Sequence, residues 1–116
     1  MTVLYGIKNC DTVKKARRWL TEHGVAYRFH DFRADGLDEE QLARWVKQLG
    51  WETVLNRRGT TWRSLSEPQR DKVVDADSAS AVMLAQPALI KRPVLENGGA
   101  LHIGFSEADY TTLLKK

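Results

Sequence analysis

A chain of 116 residues with one cysteine, Cys10, cannot form an internal disulfide. That fits a reducing cytoplasm. Long apolar runs are missing too. The longest uncharged stretch, residues 78–90, is too short to span a bilayer and contains Gln86 and Pro87. The start, Met1-Thr2-Val3-Leu4-Tyr5, lacks the basic region and apolar run of a signal peptide. A cytoplasmic protein without membrane contact is expected. Charge is nearly balanced: 18 basic against 15 acidic residues leave a net +3, which permits anionic ligands and demands none. His23, His30 and His102 have no ligand spacing with Cys10, so no metal site is expected. Basic pairs such as Arg57-Arg58 and Lys14-Lys15 are too short to argue for direct nucleic-acid binding. Neither an internal repeat nor a low-complexity linker is found. At 42% apolar and 28% charged, the chain reads as a single ordinary globular domain.

What is present begins at Cys10. Val3, Leu4 and Tyr5 read as a short strand and Gly6 to Asn9 as the loop leaving it. A helix is predicted from near Thr12, with Val13, Ala16 and Leu20 on one face. The cysteine therefore stands at a helix N-terminus, where unpaired N–H groups and the helix dipole favour an anion. A free thiol of pKa about 8.5 drops in such surroundings. Lys8, Lys14, Lys15, Arg17 and Arg18 add positive charge, and Asp11 opposes them.

The remaining chain sorts into elements. His23-Gly24 stops the first helix. Residues 26–32 alternate Tyr27 and Phe29 with Arg28 and His30, reading as a second strand parallel to the first. From about Ala34 to Gln86 the chain is mainly helical. Asp38 is predicted to cap a helix carrying Leu42, Trp45, Val46 and Leu49, which Gly50 ends. A short helix and an irregular loop through residues 56–59 follow. Ser66 with Gln69 opens another short helix ending near Val74. Asp77 or Ser78 opens one more, which stops before Pro87. Val94-Leu95 and Leu101-His102-Ile103 flank a hairpin turn at Asn97-Gly98 or Gly98-Gly99. Ser106 caps a last helix, with Phe105 and Tyr110 at staple positions and Leu113 and Leu114 turned inward. The order β-α-β, helical insertion, β-β-α is that of an α/β, thioredoxin-like mixed sheet. Its core is expected from residues 1–33 and 87–116 and its insertion from residues 34–86.

Two stretches resemble a known family. Tyr5-Gly6-Ile7-Lys8-Asn9-Cys10-Asp11-Thr12-Val13-Lys14-Lys15-Ala16-Arg17-Arg18-Trp19-Leu20 is similar to the nucleophile segment of the ArsC/Spx family, closest in wording to its YffB-like branch. Pro87-Ala88-Leu89-Ile90-Lys91-Arg92-Pro93-Val94 resembles the second family signature. The resemblance implies a thioredoxin-like fold and makes Cys10 the nucleophile. It makes Arg92 an arginine facing the thiolate and its anionic substrate, and it aligns Arg58, or Arg57 by a one-residue shift, with another. Asn9 and Thr12 shape the loop. Pro93 falls where such folds carry a cis proline, leaving a backbone edge open to a peptide-like substrate. Arginine suits these positions because its planar fork stays charged and grips an oxyanion bidentately.

Two departures narrow the function. Arsenate reductases of the family carry an arginine where this chain has Gly104, and Spx-type regulators carry a second cysteine where it has Val13. The resemblance thus implies a glutathione-dependent monothiol reductase with no bound cofactor and with glutathione as co-substrate. The alternatives are an arsenate reductase-like enzyme and an Spx-like regulator that binds RNA polymerase without a dithiol switch.

Overall fold

The computed structural model describes residues 2–114. It divides into two compact units, Met1–Gly36 with Arg92–Lys116, and Leu37–Lys91.

The first unit holds a four-stranded mixed sheet in the order β2-β1-β3-β4. Strand β1 (Thr2–Gly6) runs parallel to β2 (Arg28–Asp31), with Leu4 opposite Phe29. Between them lies α1 (Asp11–Glu22), which makes the parallel crossover the sequence order requires. On its other side β1 is antiparallel to β3 (Val94–Asn97), which pairs with β4 (Ala100–Ile103). Asn97 faces Ala100, so the hairpin turns on Gly98-Gly99, the second of the two anticipated registers. A short helix, α2 (Phe32–Asp35), follows β2, and the last helix, α8 (Glu107–Leu113), follows β4.

Val13, Ala16, Trp19 and Leu20 are the buried residues of α1, three to four apart, as an amphipathic helix on a sheet requires. Ala16, Trp19 and Leu20 form with Leu4, Leu95 and Tyr110 a hydrophobic cluster in the core of this unit, against which Phe29, Phe105, Leu113 and Leu114 pack. Phe105 meets the Tyr110 ring edge-on at 4.8 Å, the staple predicted around Ser106, whose hydroxyl accepts from the Asp109 N–H.

The second unit is helical. It comprises α3 (Glu39–Leu49), α4 (Trp51–Val54), α5 (Thr60–Ser64), α6 (Glu67–Asp71), α7 (Ala76–Ala85) and a 3₁₀ turn at Pro87–Leu89. Leu42, Trp45, Val54, Leu55, Met83 and Ile90 are buried. A bridge between Leu55 and Ile90 ties the end of α4 to the stretch after the 3₁₀ turn.

Several boundaries differ from those expected. Strand β2 stops at Asp31 rather than Phe32, because the Asp31 carboxylate accepts from the N–H groups of Arg33 and Ala34 and starts a helix there. Helix α7 starts earlier than Asp77. Asp75 and Ser78 form a reciprocal capping box, in which a serine does the work more often given to Glu or Gln. Helix α6 ends at Asp71, short of Val74, and residues 60–64, between the loop at 56–59 and the helix opened by Ser66, form α5, an element for which none is expected. No helix among the described residues is long and apolar enough to cross a membrane, and no group of three potential metal ligands occurs among them.

Candidate functional site

The chain leaves β1 through a tight turn in which the Cys10 N–H donates to the Ile7 carbonyl at 3.1 Å, with Lys8 and Asn9 at its exposed corner. Cys10 then serves as the N-cap of α1 in extended conformation, and its carbonyl accepts the first helical bond from Lys14 at 2.9 Å. The sequence placed the cysteine just before the helix; it is the capping residue itself. The turn is drawn tight against the helix at Gly6, where a Cβ would lie 2.7 Å from a Val13 methyl.

An N-cap side chain faces the N–H groups two and three residues on, which have no helical partner. The thiol of Cys10 makes no conventional cap hydrogen bond. As a thiolate, however, its sulfur draws on the amides of Val13 and Thr12 and on the Arg92 side chain. Partial burial pushes the Cys10 pKa up. The Val13 amide, the hydrogen bond and charge of Arg92, and the Thr12 amide outweigh it, so the thiol lies below its ordinary value. This half-buried sulfur is accessible and activated, the combination that marks reactive cysteines.

Arg92 reaches the sulfur from just ahead of β3, within the same unit as Cys10. The peptide bond between Arg92 and Pro93 is cis. Pro93 is buried, and its carbonyl accepts from the Gly104 N–H at 2.9 Å, so residue 104 lies beside the proline. Gly104 has a φ of +86°, a conformation open to glycine and strained for arginine.

The structure thus brings Cys10, Thr12, Arg92 and Pro93 together in one unit, with Asn9 in the exposed turn before the cysteine. Arg58 belongs to the other unit, as does Arg57. Arg57 pairs with Glu52 at 3.7 Å and lies 5.6 Å from the Trp51 ring centroid, whereas Arg58 is exposed and its backbone N–H donates to the Asn56 side chain. Sequence reasoning missed the Val13 amide as a partner of the sulfur. The signal was there: once Cys10 is taken as the N-cap, Val13 is the third helical residue. The three histidines have structural partners. His23 bonds the Trp19 carbonyl, His30 that of Gly36, and His102 lies 3.5 Å from Asp109.

The family model described as the ArsC family matches residues 5–113. The solved structure of the YFFB (PA3664) protein is 56% identical, covers 98% of this chain and 99% of its own, and superposes with a TM-score of 0.94. An arsenate reductase (ArsC) related protein from Brucella melitensis is 54% identical, with 99% and 95% covered and a TM-score of 0.77. A Haemophilus influenzae protein is 46% identical over 95% of this chain and 96% of its own. The global transcriptional regulator Spx of Streptococcus agalactiae is more distant, 26% identical over all of this chain and 85% of its own. The chain belongs to the ArsC family.

Proposed function

We propose that this protein is a monothiol, glutathione-dependent thiol reductase acting in the cytoplasm. The observation that carries the reading is the sulfur of Cys10, favoured as a thiolate by the Val13 and Thr12 amides and by Arg92, with no second cysteine in the chain. In the first step the Cys10 thiolate attacks the glutathione sulfur of a glutathionylated substrate. The substrate's S–S bond breaks, its thiolate leaves, and Cys10 is joined to glutathione. In the second step a free glutathione thiolate attacks that mixed disulfide, releasing oxidised glutathione and restoring the Cys10 thiolate. In net, one free glutathione and the glutathionylated substrate become oxidised glutathione and the reduced substrate thiol, and no bound cofactor is required.

Arg92 steadies the thiolate and, by its fork, a glutathione carboxylate. Asn9 and Thr12 shape the rim from which substrate approaches, and Pro93 borders it. Arg58 enters on its match to the family motif alone. The test is reduction of a glutathionylated peptide coupled to glutathione oxidation: Cys10→Ser abolishes turnover, and full activity in that variant would sink the reading.

Two other readings have support of their own. The likeness to an arsenate reductase-related protein favours oxyanion reduction, against which stands Gly104. Glutathione-coupled arsenate reduction, assayed directly, decides it. The likeness to Spx favours a binding role on RNA polymerase, and capture of polymerase subunits by the Cys10→Ser protein would put that reading ahead of catalysis.

A further inference from the structure

A cleft of about 570 Å³ opens in the first unit along the side of α1, starting at Thr12, whose amide serves the Cys10 sulfur. Helix α1 forms one wall with Lys15, Arg18 and Glu22, Trp19 contributes an apolar surface, and Phe105 to Glu107 form the other wall. Lys15 and Arg18 are exposed, and neither forms an ion pair with another described residue. Their neighbour Arg17 is committed elsewhere: its Nε donates to the Tyr27 hydroxyl at 3.2 Å and its guanidinium lies 4.3 Å from the Phe29 ring centroid. Two cations inside the cleft thus stand ready for anions. The acidic Glu22 lies at the end far from the cysteine and Glu107 on the facing wall.

We infer that this cleft receives an acidic polypeptide segment flanking the substrate cysteine whose thiolate leaves when Cys10 attacks, so that the enzyme's substrates are proteins with carboxylates near the modified cysteine. The inference rests on the thiol-exchange reading above and names its substrate class. Length favours a polypeptide over a small thiol. From Thr12 to Glu22 the helix advances about 15 Å at 1.5 Å per residue, which an extended chain covers with roughly four to five residues at about 3.4 Å each. A tripeptide anchored by its own sulfur at Cys10 reaches only the near part of that length. Charge supplies the sign. A carboxylate two or three residues from the sulfur meets Lys15 and Arg18, while Glu22 and Glu107 repel a segment that is acidic throughout and so limit which sequences fit.

The experiment uses the whole protein and two labelled eight-residue peptides in which serine replaces the target cysteine. One carries glutamates two and three positions from the serine, the other lysines. Fluorescence anisotropy reads their affinities at low and at moderate salt. The glutamate peptide should bind at least tenfold more tightly than the lysine peptide, with the difference shrinking as salt rises. The Lys15→Glu/Arg18→Glu double variant, altered only at exposed positions, should reverse that order. Equal binding of the two peptides, or an unchanged preference in the double variant, overturns the inference. So does an equal weakening of S-methylglutathione binding in that variant, which would assign the cleft to glutathione. Because the peptides have no sulfur, the result does not depend on exchange chemistry, and failure of the reductase reading shows separately in the Cys10→Ser assay.

Discussion

Arg92 donates a hydrogen bond to the sulfur of Cys10, so the residue ahead of β3 and the N-cap of α1 act as one charged pair when the thiol ionises. The pair makes the reactivity of the only cysteine depend on a residue at the far end of the chain. Alkylation of Cys10 followed against pH should show a midpoint below the free-thiol value of about 8.5. Arg92→Ala removes both the bond and the positive charge, and the midpoint should move up. Arg92→Lys keeps the charge and loses the fork, so it should fall between the two. An identical midpoint in all three proteins would show that the helix amides alone set the thiol.

The same depressed pKa links folding to pH. Between the folded value and the unfolded one of about 8.5, the unfolded thiol binds more protons than the native thiolate. Stability therefore rises with pH through that window. The Cys10 contribution is fully present above the unfolded value and is lost as pH falls through the folded one. Urea midpoints of the wild type should rise with pH relative to those of Cys10→Ser, which lacks the titration. Parallel curves for the two proteins would contradict the assignment.

The parts of the fold that rest on local chemistry were legible in the sequence. The strand–loop–helix at Cys10, the hairpin around Gly98-Gly99 and the capped helix after Ser106 each carry their own signals, and each is found in place. The boundaries that moved are those set by competing caps. Asp31 can end a strand pattern or start a helix, and its bonds to the Arg33 and Ala34 N–H groups decide for the helix. Asp75 stands out less than Asp77 or Ser78 as an opening residue, because a serine at the third helical position is a weaker signal than a glutamine. Nothing in residues 60–64 marks α5, where Gly59 at the N-cap offers no side chain. For the site, Cys10 and Arg92 could be named from motif and chemistry. The Lys15–Arg18 cleft could not, since one of its walls comes from the segment that leads into α8, about ninety residues later in sequence.

Tyr110 is fully buried against Trp19, His102 and Phe105, and its hydroxyl finds no hydrogen-bond partner among the described residues. Burial raises its pKa far above the usual phenol value, so the group is neutral at all working pH. Removing an unsatisfied hydroxyl while keeping the ring should be neutral or stabilising by up to about 1–3 kcal/mol. Tyr110→Leu, which deletes the edge-to-face contacts, should instead cost a few kcal/mol, on the order of 3. Urea unfolding separates the two, and a clear loss in Tyr110→Phe would reveal a partner for the hydroxyl.

Gly104 decides whether the missing arginine could be restored. Its φ of +86° costs an L-residue roughly 1–2 kcal/mol, and its N–H is held by the Pro93 carbonyl. Gly104→Arg should therefore unfold at lower urea, as should Gly104→Ala by a similar amount, since the cost lies in the backbone. If the arginine variant keeps its stability and gains glutathione-coupled arsenate reduction, the glycine alone separates the two activities, and this chain is an arsenate reductase short of one side chain.

Gly6 tests the coupling between the β1 turn and the sulfur. A Cβ at this position would press a Val13 methyl at 2.7 Å, and Val13 supplies the amide that most favours the thiolate. Val13 is fully buried, so it has little room to retreat without moving the first turn of α1. Gly6→Ala should cost about 1–3 kcal/mol as an overpacked core does, and it should raise the Cys10 midpoint in alkylation, because the displaced amide no longer meets the sulfur. The paired variant Gly6→Ala/Val13→Ala removes the clashing methyl and should recover the low midpoint while remaining less stable than the wild type. A Gly6→Ala protein that is destabilised but keeps the wild-type midpoint would show that the helix N-terminus holds its geometry regardless of the turn, leaving Arg92 as the main determinant of Cys10 reactivity.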